Sequence, residues 1–304
     1  MDKKISLKDI VSKRQIWAPN VWDCITTKIV ERSGFEAVVL STAALAYSMG
    51  VPDIGLLTLD EVVFATRHIC ASTSMAVIVD AEGGYGDTPL HAYQSVKRFA
   101  EAGASAVLLD DFISERGFER AMYANDVPSF FTSHETLPED IWLAKIKAAA
   151  KAVEGTGCLV VARSEDRFLH SMDDSINRCK HAQDVGADMS LIYGTRNYDD
   201  CKEIGEKLPG IKIYPDISSQ NGVSNVNVDE IDEFGFKIIT CHFLEKAAMR
   251  GMLDFSKHVY EEKTTVYADL DDMGCGCYTW DQQIEYMCPQ YHSLLEMEKE
   301  FKKI

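Results

Sequence analysis

Short apolar runs alternate with longer amphipathic runs along most of the chain, and this alternation predicts its secondary structure. Eight apolar runs predict strands at residues 15–18, 36–41, 75–80, 105–110, 158–163, 188–193, 211–215 and 237–240. The amphipathic runs predict helices at 58–72, 89–102, 138–153, 172–185, 198–207 and 244–260, with a shorter one at 228–234. Strands that alternate with helices and are apolar throughout indicate a parallel sheet covered on both faces.

A glycine recurs between a predicted helix and the next strand, as expected for a helix C-cap that turns into a repeated βα unit. It is found at Gly34, Gly103, Gly186 and Gly235. Eight such units favour a closed (β/α)8 TIM barrel over residues 1–262. A doubly wound open sheet is the second interpretation. Residues 263–304, with a helix-like run at 280–301, form a C-terminal helical extension in this scheme.

The balance of charge and the cysteine usage exclude several classes of protein. The formal net charge of −17 lacks the basic footprint of a nucleic-acid or anionic-membrane binder. The polar N-terminus and an odd number of cysteines, nine, indicate reduced thiols in a cytoplasmic protein. An alternative in which Cys275, Cys277 and Cys288 clip a metal fits no common zinc spacing.

Carboxylates stand at the ends of two neighbouring predicted strands, where barrel enzymes place their reactive groups. Asp80 and Glu82 follow the third strand, with the glycine-rich residues 83–86 after them, and Asp110 ends the fourth. Grouped carboxylates repel one another unless a hard cation lies between them, so we predict that these three residues bind Mg²⁺ or Mn²⁺. The alternative is that the aspartates only cap the following turns.

Two further strand ends carry candidate chemistry. Arg163 follows the fifth strand, and its guanidinium fork suits a substrate carboxylate or phosphoryl group. The alternative for Arg163 is an ion pair with Glu165 or another nearby acid. Tyr193 ends the sixth strand.

Several motifs together carry a resemblance to a known family, from about residue 18 to 116 and again from 159 to 251. They are Pro19-Asn20-Val21-Trp22-Asp23, Leu40-Ser41-Thr42-Ala43, Gly50-Val51-Pro52-Asp53-Ile54-Gly55, Asp80-Ala81-Glu82-Gly83-Gly84-Tyr85-Gly86, Leu109-Asp110-Asp111 and Ala162-Arg163-Ser164-Glu165. By these motifs the chain resembles the isocitrate lyase/phosphoenolpyruvate mutase superfamily.

The resemblance implies a barrel with Mg²⁺ or Mn²⁺ that acts on small anionic carboxylic acids. It implies that Asp80, Glu82 and Asp110 hold the metal, directly or through water, with Asp53 close by in the catalytic group that includes Arg163 and Tyr193. The substrate-binding residues it implies are Trp22, Ser41, Thr42, Ala43, Arg163 and His242. It also implies a homodimer or homotetramer in which the last helical segment is exchanged between subunits.

The stretch after the fourth strand departs from the family's patterns. The lyases of the family carry a cysteine there, whereas this chain reads Glu115-Arg116-Gly117-Phe118-Glu119-Arg120. Three functions therefore stay open. The first is a carbon–carbon lyase or decarboxylase, with Tyr193, Glu115 or Glu119 as the proton donor. The second is a phosphoenolpyruvate mutase or phosphonopyruvate hydrolase, with Arg163 and His242 on the phosphoryl group. The third is a non-catalytic metabolite-binding barrel.

Overall fold

A closed barrel of eight parallel strands forms the centre of the fold. The computed structural model describes residues 5–112, 136–165, 167, 170–220, 222–266 and 279–303. The barrel strands are β1 Ile16–Val21, β2 Ala37–Leu40, β3 Ala76–Asp80, β4 Ala106–Asp110, β5 Leu159–Ser164, β6 Met189–Ile192, β7 Ile211–Tyr214 and β8 Phe236–Cys241. Each strand pairs with the next in sequence, and β8 pairs with β1 to close the barrel. The predicted (β/α)8 barrel is confirmed, and the doubly wound sheet is wrong.

Helices connect the strands or follow them. They are α1 Leu7–Val11, α2 Cys24–Arg32, α3 Thr42–Ser48, α4 Leu59–Ser72, α5 Pro89–Glu101, α6 Glu139–Ala152, α7 Met172–Asp184, α8 Tyr198–Lys207, α9 Val228–Ile231, α10 Leu244–Glu262, α11 Trp280–Met287 and α12 Tyr291–Phe301. Capping side chains set the first residue of several helices. Thr58, for example, caps α4 in a reciprocal capping box with Glu61. The predicted 280–301 run is two helices, because Cys288-Pro289 interrupts it.

Alternate residues of every barrel strand point inward and fill the barrel with apolar side chains. On β3 and β4 these are Ala76 and Ile78, and Ala106 and Leu108. Leu7 and Val11 of α1 belong to the same buried cluster. The interior below the strand ends is therefore a packed core, and only the carboxyl ends of the strands are left to form a site.

Four elements were not anticipated: the helices α1, α2 and α3, and a two-stranded hairpin of Ser219–Gln220 and Val223–Ser224. The chain divides into two compact units, Met1–His242 and Phe243–Ile304, a division that precedes the predicted boundary after residue 262. Of the helices in the described ranges, none combines the length and the apolar character of a membrane span.

Candidate active site

The inward-facing positions change from apolar to polar at the carboxyl ends of the strands. Continuing the alternation of the core leads to Asn20, Ser41, Asp80, Asp110, Arg163, Tyr193, Thr240 and His242. All of these except Asp110 line a cavity of about 740 Å³, whose walls also include Thr42, Ala43, Asp53, Glu82 and Pro215. The same alternation of inward-facing residues therefore forms both the core and the site at the carboxyl ends of the strands.

Arg163 is the charged centre of this cavity. Its Nη1 lies 3.4 Å from Asp80 Oδ2, and its Nη2 donates to Glu165. The Tyr193 ring lies 4.8 Å from the guanidinium carbon. Burial lowers the pKa of Arg163, but the carboxylates of Glu165 and Asp80 more than offset this and raise the pKa above its usual value. Both interpretations of Arg163 are compatible with this geometry, since the ion pairs hold the side chain at the cavity wall.

One hydrogen-bond donor of Arg163 is unpaired. Its Nε–H is buried and has no hydrogen-bond acceptor among the described residues. A buried donor without an acceptor costs free energy. Because this N–H is buried from solvent, an anionic ligand satisfies it only if the guanidinium turns towards the cavity. This vacant donor supports the prediction that Arg163 binds substrate.

The turn after β3 holds Glu82 in a left-handed backbone conformation with φ of 50°. Its N–H donates to Asp80 Oδ1 at 3.1 Å, and its side chain accepts a hydrogen bond from Thr42 Oγ1 at 2.6 Å. Non-glycine residues rarely take this conformation, and such residues concentrate at functional sites. The following Gly86 has φ of 145°, and a Cβ there would overlap the His91 ring at 2.4 Å. The glycines let this turn pack onto α5.

The adjacent carboxylates Asp110 and Asp111 have different environments. Asp110 is fully buried, and burial raises its pKa to about 8. Asp111 accepts hydrogen bonds from Arg178 Nε at 3.0 Å, Ser164 Oγ at 2.8 Å and the Glu165 N–H at 2.9 Å. Burial raises its pKa to about 6, with Arg178 acting in the opposite direction. Asp111 therefore orders the end of β5, next to Arg163.

The predicted metal ligands fit a cation site in their charge. Within the described ranges, no three His, Cys, Asp or Glu side chains are grouped so that they could hold an ion. However, after burial, which does most to raise the pKa of Asp110, Arg163 lowers that pKa, and Glu165, Asp80 and Asp111 raise it further. Carboxylates therefore outnumber arginines around Asp110, and a cation would relieve their repulsion. Mg²⁺ commonly binds one or two carboxylates and keeps several waters. Asp80 and Glu82, which reach the cavity, suit that role, with Asp110 behind them.

Asp110→Asn is expected to stabilise the protein at pH 8 in the absence of divalent cations, by on the order of 5 kcal/mol. The folded-state pKa of about 8 lies above the ordinary value of 3.8, so the stability contributed by protonated Asp110 is present below pH 4 and is lost as the pH rises towards 8. Urea unfolding from pH 4 to pH 9 measures this slope. The surface variant Asp60→Asn is the control, and curves for Asp110→Asn and the wild type that stay parallel would contradict the assignment.

A second polar cluster lies on the other side of the cavity, across β7, β8 and β1. His242 follows β8, and its Nδ1 lies 3.1 Å from Asp216 Oδ1. The Asn20 side-chain amide contacts His242 Nε2. Asn20 and Asp216 were not among the residues predicted for the site. The inward register of Ile16 and Ala18 could have identified Asn20, whereas the contact with Asp216 depends on the turn after β7.

The other predicted residues fall into three groups. Ser41, Thr42, Ala43 and Asp53 line the cavity. Trp22 lines neither the main cavity nor the one beside it; it follows the end of β1, where its N–H donates to Thr26 Oγ1 at 3.3 Å. Glu115, Arg116, Glu119, Arg120, Cys275 and Cys277 lie outside the described residues.

Comparisons with known proteins agree with this architecture. Residues 7–260 match the family model for phosphoenolpyruvate phosphomutase. The petal death protein of Dianthus caryophyllus is 30% identical over 93% of this chain and 84% of its own length. The chloroplastic carboxyvinyl-carboxyphosphonate phosphorylmutase of Arabidopsis thaliana is 31% identical over 81% of this chain and 71% of its own length. The crystal structure of 2,3-dimethylmalate lyase shares the fold, with a TM-score of 0.80 over 97% of this chain and 96% of that chain at 21% identity. Other relatives are named 2-methylisocitrate lyase and oxaloacetate decarboxylase.

Proposed function

Since the chain is an enzyme of the phosphoenolpyruvate mutase/isocitrate lyase superfamily, we propose that it is a Mg²⁺- or Mn²⁺-dependent lyase. It cleaves a carbon–carbon bond of a small 2-hydroxy- or 2-oxo-carboxylic acid, or decarboxylates it, through an enolate intermediate. The observation that carries the proposal is Arg163, held by Asp80 and Glu165 with its Nε–H unpaired at the wall of a cavity lined with carboxylates.

The chain's residues divide the work between two sides of the cavity. Arg163 binds and orients the substrate carboxylate, and the Tyr193 ring fixes the guanidinium plane. Asp80 and Glu82 hold the metal, with Asp53 at the same wall and Asp110, whose pKa of about 8 keeps it protonated near neutral pH until a cation binds, behind them. When bound, the metal supplies Lewis-acid stabilisation of the enolate oxygen. Ser41, Thr42 and Ala43 border the substrate on the β2 side.

The phosphorus–carbon alternative is supported by the phosphorylmutase among the relatives. A phosphoryl group carries about −1.5 to −2 charge near pH 7, so a phosphonate with a carboxylate brings more negative charge into the cavity than a dicarboxylate and needs more cationic partners. Arg163 is the one arginine or lysine among the described residues that line the cavity. This charge balance favours a carboxylic-acid substrate over a phosphonate.

A neighbouring cavity of about 570 Å³ indicates the shape of the substrate. It shares Thr42, Asp53 and Glu82 with the main cavity, and its remaining walls are largely apolar: Ala46, Pro52, Leu56, Leu57, Tyr85 and Phe112. A substrate whose carboxylate lies on Arg163 could place an alkyl substituent there. We therefore favour diacids that carry an alkyl branch.

Leu57→Trp is expected to narrow this side cavity and to lower kcat/KM for alkyl-branched diacids about tenfold, with less than about a threefold change for unbranched ones. Each methylene accommodated in an apolar pocket is worth about 1–3 kcal/mol. Competition between branched and unbranched substrates measures the ratio directly. Leu57→Ala is the matched control and should keep or increase the preference for branched over unbranched diacids. An equal loss of kcat/KM for both substrate types in Leu57→Trp would show that the side cavity does not bind the alkyl substituent.

A screen for carbonyl products tests the proposed reaction. The protein with Mg²⁺ is incubated with a panel of 2-hydroxy and 2-oxo diacids, and released 2-oxo acids are trapped as hydrazones. We expect a 2-oxo acid product to form with Mg²⁺ and its formation to be abolished by EDTA. If no diacid of the panel yields a product with either Mg²⁺ or Mn²⁺, the lyase proposal is overturned and the metabolite-binding alternative is favoured.

The proposal includes assembly into a homodimer or homotetramer. It is supported by the exposed apolar side chains of the Phe243–Ile304 unit, at Met249, Met252, Leu253, Leu294 and Phe301. Met249, Met252 and Leu253 share one face of α10 by their spacing, and an exposed apolar patch often marks an interface. Sedimentation velocity distinguishes these assemblies from a monomer.

A further inference from the structure

We propose that His242, held by Asp216 and Asn20, is the group that takes and returns the proton in the reaction. This inference rests on the proposed lyase function and names the acid–base residue of that same site. The three residues come from three adjacent barrel strands or the turns that follow them, β7, β8 and β1. They lie on the side of the cavity formed by these strands, away from β3 and β4, which carry the carboxylates proposed to hold the metal.

The hydrogen bonds of His242 define one neutral tautomer. The Asp216 carboxylate can only accept, so Nδ1, at 3.1 Å from Oδ1, carries the proton. The amide nitrogen of Asn20 can only donate, so Nε2 presents its lone pair. Asp216 Oδ1 also accepts the backbone N–H of His242 at 3.2 Å, which fixes the base of the side chain. A carboxylate on one ring nitrogen, with the lone pair of the other nitrogen at a cavity wall, is the arrangement of an oriented general base. Here the Asn20 amide, which also lines the cavity, occupies that lone pair until a substrate displaces it.

Asn20 is suited to both protonation states of the ring. It is 4% exposed and lines the cavity, and its Oδ1 has no hydrogen-bond partner among the described residues. If Nε2 becomes protonated, the amide can rotate and present Oδ1 as an acceptor without breaking a bond at that atom. A buried amide oxygen with no partner is costly in a core position. It is useful beside a histidine that gains and loses a proton.

Cleavage of the carbon–carbon bond moves one proton and one electron pair. The C2 hydroxyl of a 2-hydroxy diacid replaces the Asn20 amide N–H at His242 Nε2, and neutral His242 accepts the hydroxyl proton there. The C2–C3 bond breaks, C2 becomes the carbonyl carbon of a 2-oxo acid, and the electron pair passes to C3 as the enediolate of the second carboxylate. The imidazolium then donates its proton to C3, which releases a carboxylic acid and restores neutral His242. A histidine is suited to both transfers near neutral pH.

The main test replaces His242 by glutamine, which keeps the polarity and roughly the size of the side chain. kcat for 2-hydroxy diacids is expected to fall about 10²–10⁴-fold with KM changed less than about threefold, because general acid–base catalysis contributes on that scale. The matched control is His181→Gln. His181 also pairs through Nδ1 with a carboxylate, Glu139 at 2.7 Å, on helices α6 and α7 away from the cavity lining. It should leave kcat unchanged.

Asp216 acts through His242 and is a positioning residue. Asp216→Asn is expected to lower kcat by about tenfold or more, and ¹⁵N NMR should show His242 shifting from the Nδ1-protonated tautomer to a mixture of both. Asp216→Glu, which keeps the acceptor, should recover part of kcat and of the original tautomer. A purely structural role for Asp216 would lower stability and leave the tautomer as it is.

Binding of oxalate, a planar dianion, separates this inference from the lyase proposal. With Mg²⁺ present, oxalate should shift the His242 ¹⁵N signals and leave those of His181 in place, and it should bind the His242→Gln variant as tightly as the wild type. Unperturbed His242 signals, or a His242→Gln variant with full kcat, would overturn the role of His242 even if the wild type cleaves diacids. Wild-type protein that binds oxalate beside His242 and cleaves nothing would overturn the lyase proposal instead.

Discussion

Arg163→Gln is expected to reduce kcat/KM by at least about 10³-fold and to destabilise the fold by about 3–5 kcal/mol near neutral pH. The activity loss follows from removing the guanidinium fork that orients the substrate carboxylate. The stability loss follows because Glu165 and Asp80 lose their buried partner, and breaking a buried pair costs this much. Steady-state kinetics on the cleaved diacid and urea unfolding at pH 7 measure the two effects.

Two controls sharpen this prediction. Arg14→Gln removes an exposed pair with Glu36 and should cost no more than about 0.5 kcal/mol. Arg163→Lys keeps the positive charge and loses the fork, so it should recover part of the stability and little of the activity. Arg163→Gln with full stability and full activity would mean that Arg163 neither balances the buried carboxylates nor binds substrate.

Asp80→Ala is expected to weaken Mg²⁺ binding by about 100-fold or more and to abolish metal-dependent turnover. Asp80 is the carboxylate that both lines the cavity and ends a barrel strand, and it also orients Glu82 through a hydrogen bond to the Glu82 N–H. Isothermal titration calorimetry with Mg²⁺ and Mn²⁺ measures the affinity.

The matched control for Asp80→Ala is Asp60→Ala. Asp60 is an exposed carboxylate that pairs with Arg98 on the surface. Thr42→Val, which removes the hydrogen bond to Glu82, should give an intermediate loss of about tenfold. Unchanged Mg²⁺ affinity in Asp80→Ala would show that the metal assignment is wrong.

The barrel could be predicted from the sequence because its strands are buried on both faces and several of its helices begin at a capping side chain. The Thr58 capping box and the apolar runs that become β3 and β4 are local features that need no partner to be recognised. Helix α3 was missed because its seven residues follow β2 directly and give no amphipathic period long enough to detect. The break between α11 and α12 could have been predicted from Pro289.

The site residues that could be predicted are the charged ones at the end of a single strand. Asp80, Glu82 and Arg163 were identified because charged residues stand directly after apolar strands. The sequence could not show that Asp110 and Asp111 point into different environments, since that depends on Arg178, which comes from a helix 67 positions later. The cluster of Asn20, His242 and Asp216 is likewise formed by closure of the barrel, which pairs β1 with β8.

The most direct test of the central claim is NMR of the reaction in D₂O with Mg²⁺, using alkyl-branched and unbranched 2-hydroxy and 2-oxo diacids in parallel with phosphoenolpyruvate and phosphonopyruvate. Cleavage of a 2-hydroxy diacid through an enediolate is expected to give a 2-oxo acid and a second product that carries a single deuterium at the former C3. A 2-oxo diacid is expected to give CO₂ and a 2-oxo acid deuterated at the former C3. No carbon–carbon cleavage of any diacid, with a new ³¹P signal from one of the two phosphorus compounds, would contradict the lyase proposal and make phosphorus–carbon chemistry the activity of this cavity.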